Sequence, residues 1–270
     1  MRVLVIPDVH LRAWMFDCAE EMLRSGKADR AVCLMDIPDD WEMQLRVDKY
    51  EEAYDRAISF AKTFPDTLWC YGNHDVSYPW AKLESGYSPY AEHTVILKLR
   101  ELEESLPDSS QIAFVQRIDN VLFSHGGLAC DFVKKFGEEM FEADIDEVLD
   151  VVNKAEHRIL WNDMSPLWLR TKYNKWKMFS NLTQVVGHTP VDKVCVKNGT
   201  VMTDVFSTHP DGQRKYEPEM MVIDSVTGKY EVFPVNTKAG IKEVLTIAKE
   251  MDERYGEVFS KLADWEGTDK

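Results

Sequence analysis

The sequence predicts an α/β fold built on a mostly parallel sheet covered by helices. Two observations carry this. Short apolar runs rich in β-branched residues alternate with longer stretches of helical spacing through Tyr71. Each of the first three runs also ends in a polar cluster: Asp8-Val9-His10, Asp36 through Asp40, and Gly72-Asn73-His74-Asp75. Strand–helix–strand order needs crossovers, and crossovers give parallel strands with helices on the sheet faces.

Val3–Pro7 is a continuous apolar run, the pattern of a buried strand. Trp14 to Leu23 carries apolar residues near helical spacing, and Gly26 stands where a helix would stop. Arg30–Met35 is the second strand. Met43 to Phe64 is a long helical pattern ended by Pro65, which cannot continue a helix. Thr67–Tyr71 is the third strand. Ile112–Gln116 and Val121–Ser124 read as paired strands around Asp119-Asn120, and His125-Gly126-Gly127 follows at once. The stretch 131–180 reads as a helical insertion rich in tryptophan. Gln184–Val186 leads into Gly187-His188-Thr189-Pro190. Short strands follow near Val194–Val196, Thr200–Thr203, Glu219–Ile223 and Tyr230–Pro234. An amphipathic C-terminal helix, about 238–262, is expected to pack or shield.

The chain of 270 residues is 44% hydrophobic, enough for a sizeable core. No Pro/Gly/Ser-rich linker and no repeat divides it, so residues 1–270 are expected to form a single domain. The amino-terminal apolar run is too short for a signal peptide, and no stretch approaches the roughly 18–20 apolar residues of a membrane span. Five scattered cysteines without CxxC spacing point to reduced thiols and a cytoplasmic setting. A net charge of −15 disfavours extended nucleic acid, whose affinity comes from phosphate neutralisation. Small phosphorylated molecules or phosphopeptides remain, provided bound cations supply a local positive site.

In open α/β sheets, sites form beyond the carboxyl ends of strands, so the three early clusters should converge. His125 and His188 also follow strand-like runs. All these donors are hard or borderline oxygen and nitrogen atoms, suited to Mn²⁺, Fe²⁺ or Zn²⁺ rather than to a thiolate site.

The joint pattern resembles the calcineurin-like metallophosphoesterase superfamily. The blocks that carry the resemblance are Asp8-Val9-His10, Met35-Asp36-Ile37-Pro38-Asp39, Gly72-Asn73-His74-Asp75, Ser124-His125-Gly126-Gly127 and Gly187-His188-Thr189-Pro190, in family order across residues 8 to 190. The last two look most like the bacterial and phage serine/threonine phosphatase branch. The resemblance implies a layered α/β/β/α sandwich and two divalent transition metals. Asp8 and His10 would hold the first, Asp36 would bridge, and Asn73, His125 and His188 would complete the second. Two such ions clamp a phosphoryl group and lower the pKa of a water toward neutrality. His74 would be the general acid, paired with Asp39, and Asn73 would also face substrate. Asp75 reads as a cap of the following segment.

Two glycines usual in the family are replaced, by Leu11 and Met35, and Asp40 stands where that phosphatase branch has an arginine. Arg170, in Leu167-Trp168-Leu169-Arg170, is the replacement cation the motifs suggest. Arg2, Arg12, Arg46 and Arg158 are further arginines that a folded cleft could gather. Trp161, Trp168 and Trp176 read as core, and His93, His157 and His209 match no block. The function expected is hydrolysis of phosphomonoesters. The alternatives are hydrolysis of dinucleoside polyphosphates or diesters, and an inactive binding module. The module is disfavoured because all six ligand positions hold competent residues and His74 is present.

Overall fold

Val3, Leu4, Val5 and Ile6 are all fully buried, which places β1 (Arg2–Ile6) inside a sheet covered on both faces. In the computed structural model, which describes residues 1–41, 43–172, 176–206 and 219–235, β1 is parallel to β2 (Arg30–Cys33). From there β3 (Leu68–Cys70) and β4 (Ile112–Ala113) add in parallel. On the other side β10 (Glu219–Asp224) and then β11 (Tyr230–Pro234) add antiparallel, giving the order β11-β10-β1-β2-β3-β4.

A second sheet has the order β5-β6-β7-β9-β8. Its centre is parallel: β6 (Val121–Ser124), β7 (Thr183–Val186) and β9 (Thr200–Met202). The edges, β5 (Val115–Ile118) and β8 (Cys195–Lys197), run antiparallel. Alternation along β6 separates two cores. Val121 and Phe123 join the core that holds β1, β2 and β3, while Leu122 joins a second one with Phe132, Val148 and Leu149.

Helices α1 (Trp14–Arg24), α2 (Val47–Thr63) and α4 (Glu92–Ser105) complete the first core; α1 packs on β1 and β2, and α2 packs on both other helices. The second core is closed by α5 (Cys130–Val133), α6 (Ile145–Asn153) and α7 (His157–Leu160). The architecture is therefore the expected α/β/β/α sandwich. Short helix α3 (Asn73–Ser77) sits at the end of β3.

Three differences from the sequence reading have local causes. The run Ile112–Gln116 is divided at Phe114, where the chain crosses from the first sheet to the second. Asn153 satisfies the backbone there, its Oδ1 accepting Phe114 N and Val115 N at 3.1 and 2.9 Å. Helix α4 lies where no element was expected, although Val95, Leu99 and Leu102 are buried at helical spacing. Within 131–180 the helices are short and end by Leu160; beyond it the described residues run in turns, where Asn162, Ser165 and Pro166 favour turn over helix. The expected C-terminal helix and His209 lie outside the described residues, which all belong to one unit, Met1–Val235. No helix among the described residues is long and apolar enough to cross a membrane.

Candidate metal centre

Five strands, parallel to their neighbours within each sheet, end at one place. Asp8 and His10 follow β1, Asp36 and Asp39 follow β2, Asn73 and His74 follow β3, His125 follows β6 and His188 follows β7; all are buried. The loops there carry unusual backbone. His10, Leu11, Met35, Asp36, Asp39 and His188 all have positive φ, between 41° and 65°. Left-handed conformations in residues with a Cβ cost about 1–3 kcal/mol each and persist only where surroundings over-determine them. Leu11 and Met35, which replace the two family glycines, are among them.

What over-determines these loops is hydrogen bonding. Val9, His10 and Leu11 donate their N–H groups to the carbonyls of Met35, Asp36 and Ile37 at 2.8–2.9 Å. Asp75 then ties two backbone segments together through three N–H groups. Its carboxylate accepts Asp36 N at 2.8 Å, Ile37 N at 3.0 Å and Gly72 N at 2.9 Å. It is thus more than a cap. Gly72 and Gly187 are needed for space: a Cβ on either would collide with a carboxylate, that of Asp36 or Asp8 respectively.

The histidines are oriented by backbone carbonyls. His10 Nδ1 donates to Asp39 O at 2.7 Å and His125 Nδ1 to Leu34 O at 3.2 Å, so each turns Nε2 toward the carboxylates. Nε2 of His125 faces Asp36 Oδ2 at 3.1 Å, Asn73 Oδ1 at 3.0 Å and His188 Nδ1 at 3.2 Å. His10 Nε2 lies 3.8 Å from Asp36 Oδ2. Two ligand groups result, Asp8–His10–Asp36 and Asp36–His125–His188, each with its donor atoms within 4.8 Å of one another. Asp36 belongs to both.

These residues fit a pair of cations. Asp8 Oδ1 and His188 Nε2 are buried and have no hydrogen-bond partner in the protein, and buried polar atoms are rarely left so. Burial raises the Asp8 carboxyl well above its ordinary range, and Asp204 adds to this. Burial opposes the charge of His125 too, yet Asp36 and Asp8 outweigh it and raise His125 to about 9. Such a cluster calls for positive charge.

His74 stands beside the first group, its ring 5.3 Å from that of His10. Its Nδ1 donates to Asp39 Oδ2 at 2.8 Å. Asp39 also accepts Tyr78 OH at 2.5 Å and Tyr50 OH at 3.1 Å. Burial lowers His74, but Asp36 and Asp39 prevail and raise it to about 9. The two tyrosines carry no motif signal, and only the fold reveals them.

Arg170 reaches the centre, donating to the His188 carbonyl at 2.9 Å. Trp168 meets His188 edge-on at 5.4 Å, and Trp41 lies 5.8 Å from His10, so these two line the site. Trp161 packs on Trp168 and Trp80 instead. Arg12 is buried beneath His10, donating to its carbonyl at 2.9 Å and to Asp40 at 3.0 Å. Asp40 is thereby the partner of an arginine rather than the replacement of one. Arg2, Arg46 and Arg158 pair with Asp29, Asp48 and Glu156. His93 and His157 are exposed.

A sandwich of this kind, with two Asp/His groups sharing one aspartate at its strand ends, defines a metallophosphoesterase. The chain belongs to the calcineurin-like phosphoesterase family, whose model matches residues 1–212. Members hydrolyse phosphate esters at a dinuclear metal centre. Three solved structures are similar to it. A hypothetical protein of Pyrococcus horikoshii OT3 is 14% identical, with 92% of this chain and 93% of that one covered and a TM-score of 0.46. A metallophosphoesterase of Sphaerobacter thermophilus is 14% identical, covers 88% and 89%, and has a TM-score of 0.42. An archaeal phosphodiesterase is 10% identical, covers 87% and 100%, and has a TM-score of 0.34. No functionally curated protein matches the chain in sequence.

Proposed function

We propose that the protein is a phosphatase, hydrolysing phosphomonoesters at a pair of Mn²⁺, Fe²⁺ or Zn²⁺ ions. The observation that carries this is Asp36 shared between two ligand groups with the His74–Asp39 pair beside them. Asp8, His10 and Asp36 would hold the first cation, and Asp36, Asn73, His125 and His188 the second. When bound, two divalent cations supply Lewis acidity toward a phosphoryl group and acidify water.

The chain's own residues supply the rest. The Asp36 and Asp39 carboxylates favour the protonated form of His74, and Asp39, which belongs to neither ligand group, would go on doing so with cations bound. With Nδ1 tied to Asp39, its Nε2–H is free to donate to the leaving oxygen. Tyr50 and Tyr78 hold Asp39 in place for that pairing. Arg170 offers a guanidinium to a phosphate oxygen from beside His188. Trp168 and Trp41 wall the site against water.

Charge supports the monoester. Arg12 is neutralised by Asp40, and Arg2, Arg46 and Arg158 each have an acidic partner, which leaves Arg170 as the cation suited to substrate among those considered. One such arginine suits a dianion better than a long polyphosphate. The Ser124-His125-Gly126-Gly127 and Gly187-His188-Thr189-Pro190 blocks favour the bacterial and phage serine/threonine phosphatase branch, hence a small phosphorylated molecule or phosphopeptide rather than nucleic acid or membrane. Five free cysteines suit the cytoplasm. The test is kcat/KM, side by side, on a phosphopeptide, an aryl phosphate, a bis-aryl phosphate and a dinucleoside tetraphosphate with Mn²⁺. Monoesters should lead; a diester or tetraphosphate ahead by more than about tenfold, roughly 1.4 kcal/mol, overturns the reading.

A further inference from the structure

Trp41 comes two residues after Asp39 and is half-buried. Its indole lies 5.8 Å from the His10 ring and 6.3 Å from the His74 ring, which it meets edge-on at 74°. The 84–88 loop braces it. Gly86, at φ +89°, lies against both Trp41 and Asp39: a Cβ there would come 3.8 Å from Trp41 Cε2 and 3.5 Å from Asp39 Cβ. That loop is pinned in turn. Ser88, fully buried, donates its N–H to the Tyr78 hydroxyl at 3.0 Å and its own hydroxyl to the Gln44 carbonyl at 2.5 Å. Tyr87 stacks on Tyr78 at 4.4 Å. The indole is therefore held before anything binds, and a surface held in advance loses little freedom on binding.

The site also has a direction. Arg170 and Trp168 stand at His188, whereas Trp41 stands at His10 and His74. Asp39 takes Nδ1 of His74 at 2.8 Å, so Nε2 is the atom that meets a leaving oxygen, at about 2.6–3.2 Å. The phosphoryl end belongs with the guanidinium near His188. Whatever the leaving oxygen carries begins at His74 and so comes up beside the indole. Aromatic rings pair with centroids about 4.5–7 Å apart, and an aliphatic group of the same bulk lacks that pairing.

We propose that Trp41 seats the leaving group and selects phosphomonoesters whose alcohol carries a planar aromatic ring. This rests on the monoesterase reading above and narrows its substrate class.

Full-length protein loaded with Mn²⁺ is assayed on phenethyl, cyclohexylethyl and ethyl phosphate. These alcohols are similarly poor leaving groups, so leaving-group acidity does not enter the comparison. Wild type should show its highest kcat/KM on the phenethyl ester. Trp41→Leu, which keeps apolar bulk, should lower the phenethyl-to-cyclohexylethyl ratio by about 3–10-fold, the worth of one aromatic pair. Trp41→Phe should keep that ratio. Trp168→Ala, at the other end of the site, should keep it too, whatever it does to the rates. The matching phosphonates, which do not hydrolyse, should inhibit in the same order and so read binding apart from chemistry. An unchanged ratio in Trp41→Leu, or an equal fall in Trp168→Ala, overturns the proposal. A wild type that hydrolyses all three esters without favouring the phenethyl one overturns it with no variant needed. No hydrolysis of any monoester, with a bis-aryl phosphate cleaved, overturns the monoesterase reading and this proposal with it.

Discussion

The carboxylate of Asp75 holds Asp36 from behind: Oδ2 accepts the Asp36 N–H at 2.8 Å and the Gly72 N–H at 2.9 Å. Two strand ends are thus locked to one another through a fully buried carboxylate. Asp75→Asn turns one acceptor into a donor that faces N–H groups. It should destabilise the fold by about 1–3 kcal/mol, the cost of buried groups left unpaired. Mn²⁺ affinity should fall as well, because Asp36 loses its backbone support. Denaturant unfolding and a Mn²⁺ titration check both; an unchanged midpoint would remove Asp75 from this role.

Met35, fully buried at φ +54°, gives a sharper test of backbone strain. Met35→Ala loses the buried side chain and should cost about 2–5 kcal/mol. Met35→Gly loses the same contacts but relieves the left-handed strain, worth about 1–2 kcal/mol. Glycine should therefore be more stable than alanine here, the reverse of its ordinary rank. Urea unfolding of the two variants decides it. If the glycine variant is the weaker, the loop is not strained.

The gathering of these side chains was legible in the sequence because it follows a simple rule: each cluster comes directly after an apolar run, as Asp8 follows Ile6-Pro7 and His188 follows Val186-Gly187. The strands themselves were legible from the same runs. The supports were not. Tyr50 reaches Asp39 from α2 and Tyr78 from just past α3, 11 and 39 residues away, with nothing local to mark them. Arg12 and Asp40 are 28 residues apart and meet only because β1 and β2 are neighbours. The split of Ile112–Gln116 between two sheets was hidden for a related reason, since periodicity reports burial and not which sheet buries it.

His74→Ala should lower kcat by about 10²–10⁴-fold while bound metal stays unchanged. Asp39→Asn should give a smaller loss of the same kind, because it only weakens the hold on His74. Both losses should shrink on an aryl phosphate with a good leaving group, which needs little proton donation. Turnover on substrates of graded leaving-group pKa, beside elemental analysis, reads this out. Equal losses across the series would exclude proton donation by His74, and loss of metal in His74→Ala would make it a ligand.

Membership of the two ligand groups predicts selective losses of metal. Asp36 belongs to both groups, Asp8 to one, and Asn73 faces His125 in the other at 3.0 Å. Asp36→Asn should abolish both Mn²⁺ binding steps. Asp8→Asn should abolish the first and Asn73→Ala the second. Stability provides an independent reading, because a ligand that binds only the folded state stabilises it by about 2.7 kcal/mol per site at a hundred times its Kd. Wild type should therefore gain on Mn²⁺ addition at both sites, the single-site variants at one, and Asp36→Asn at neither. Asp36 also accepts His74 N at 2.9 Å, so the metal-free melting temperature of each variant must be measured as its own baseline. A binding step surviving in Asp36→Asn would mean that the aspartate is not shared. Loss of the first step in Asn73→Ala would mean that the two groups do not act as separate positions.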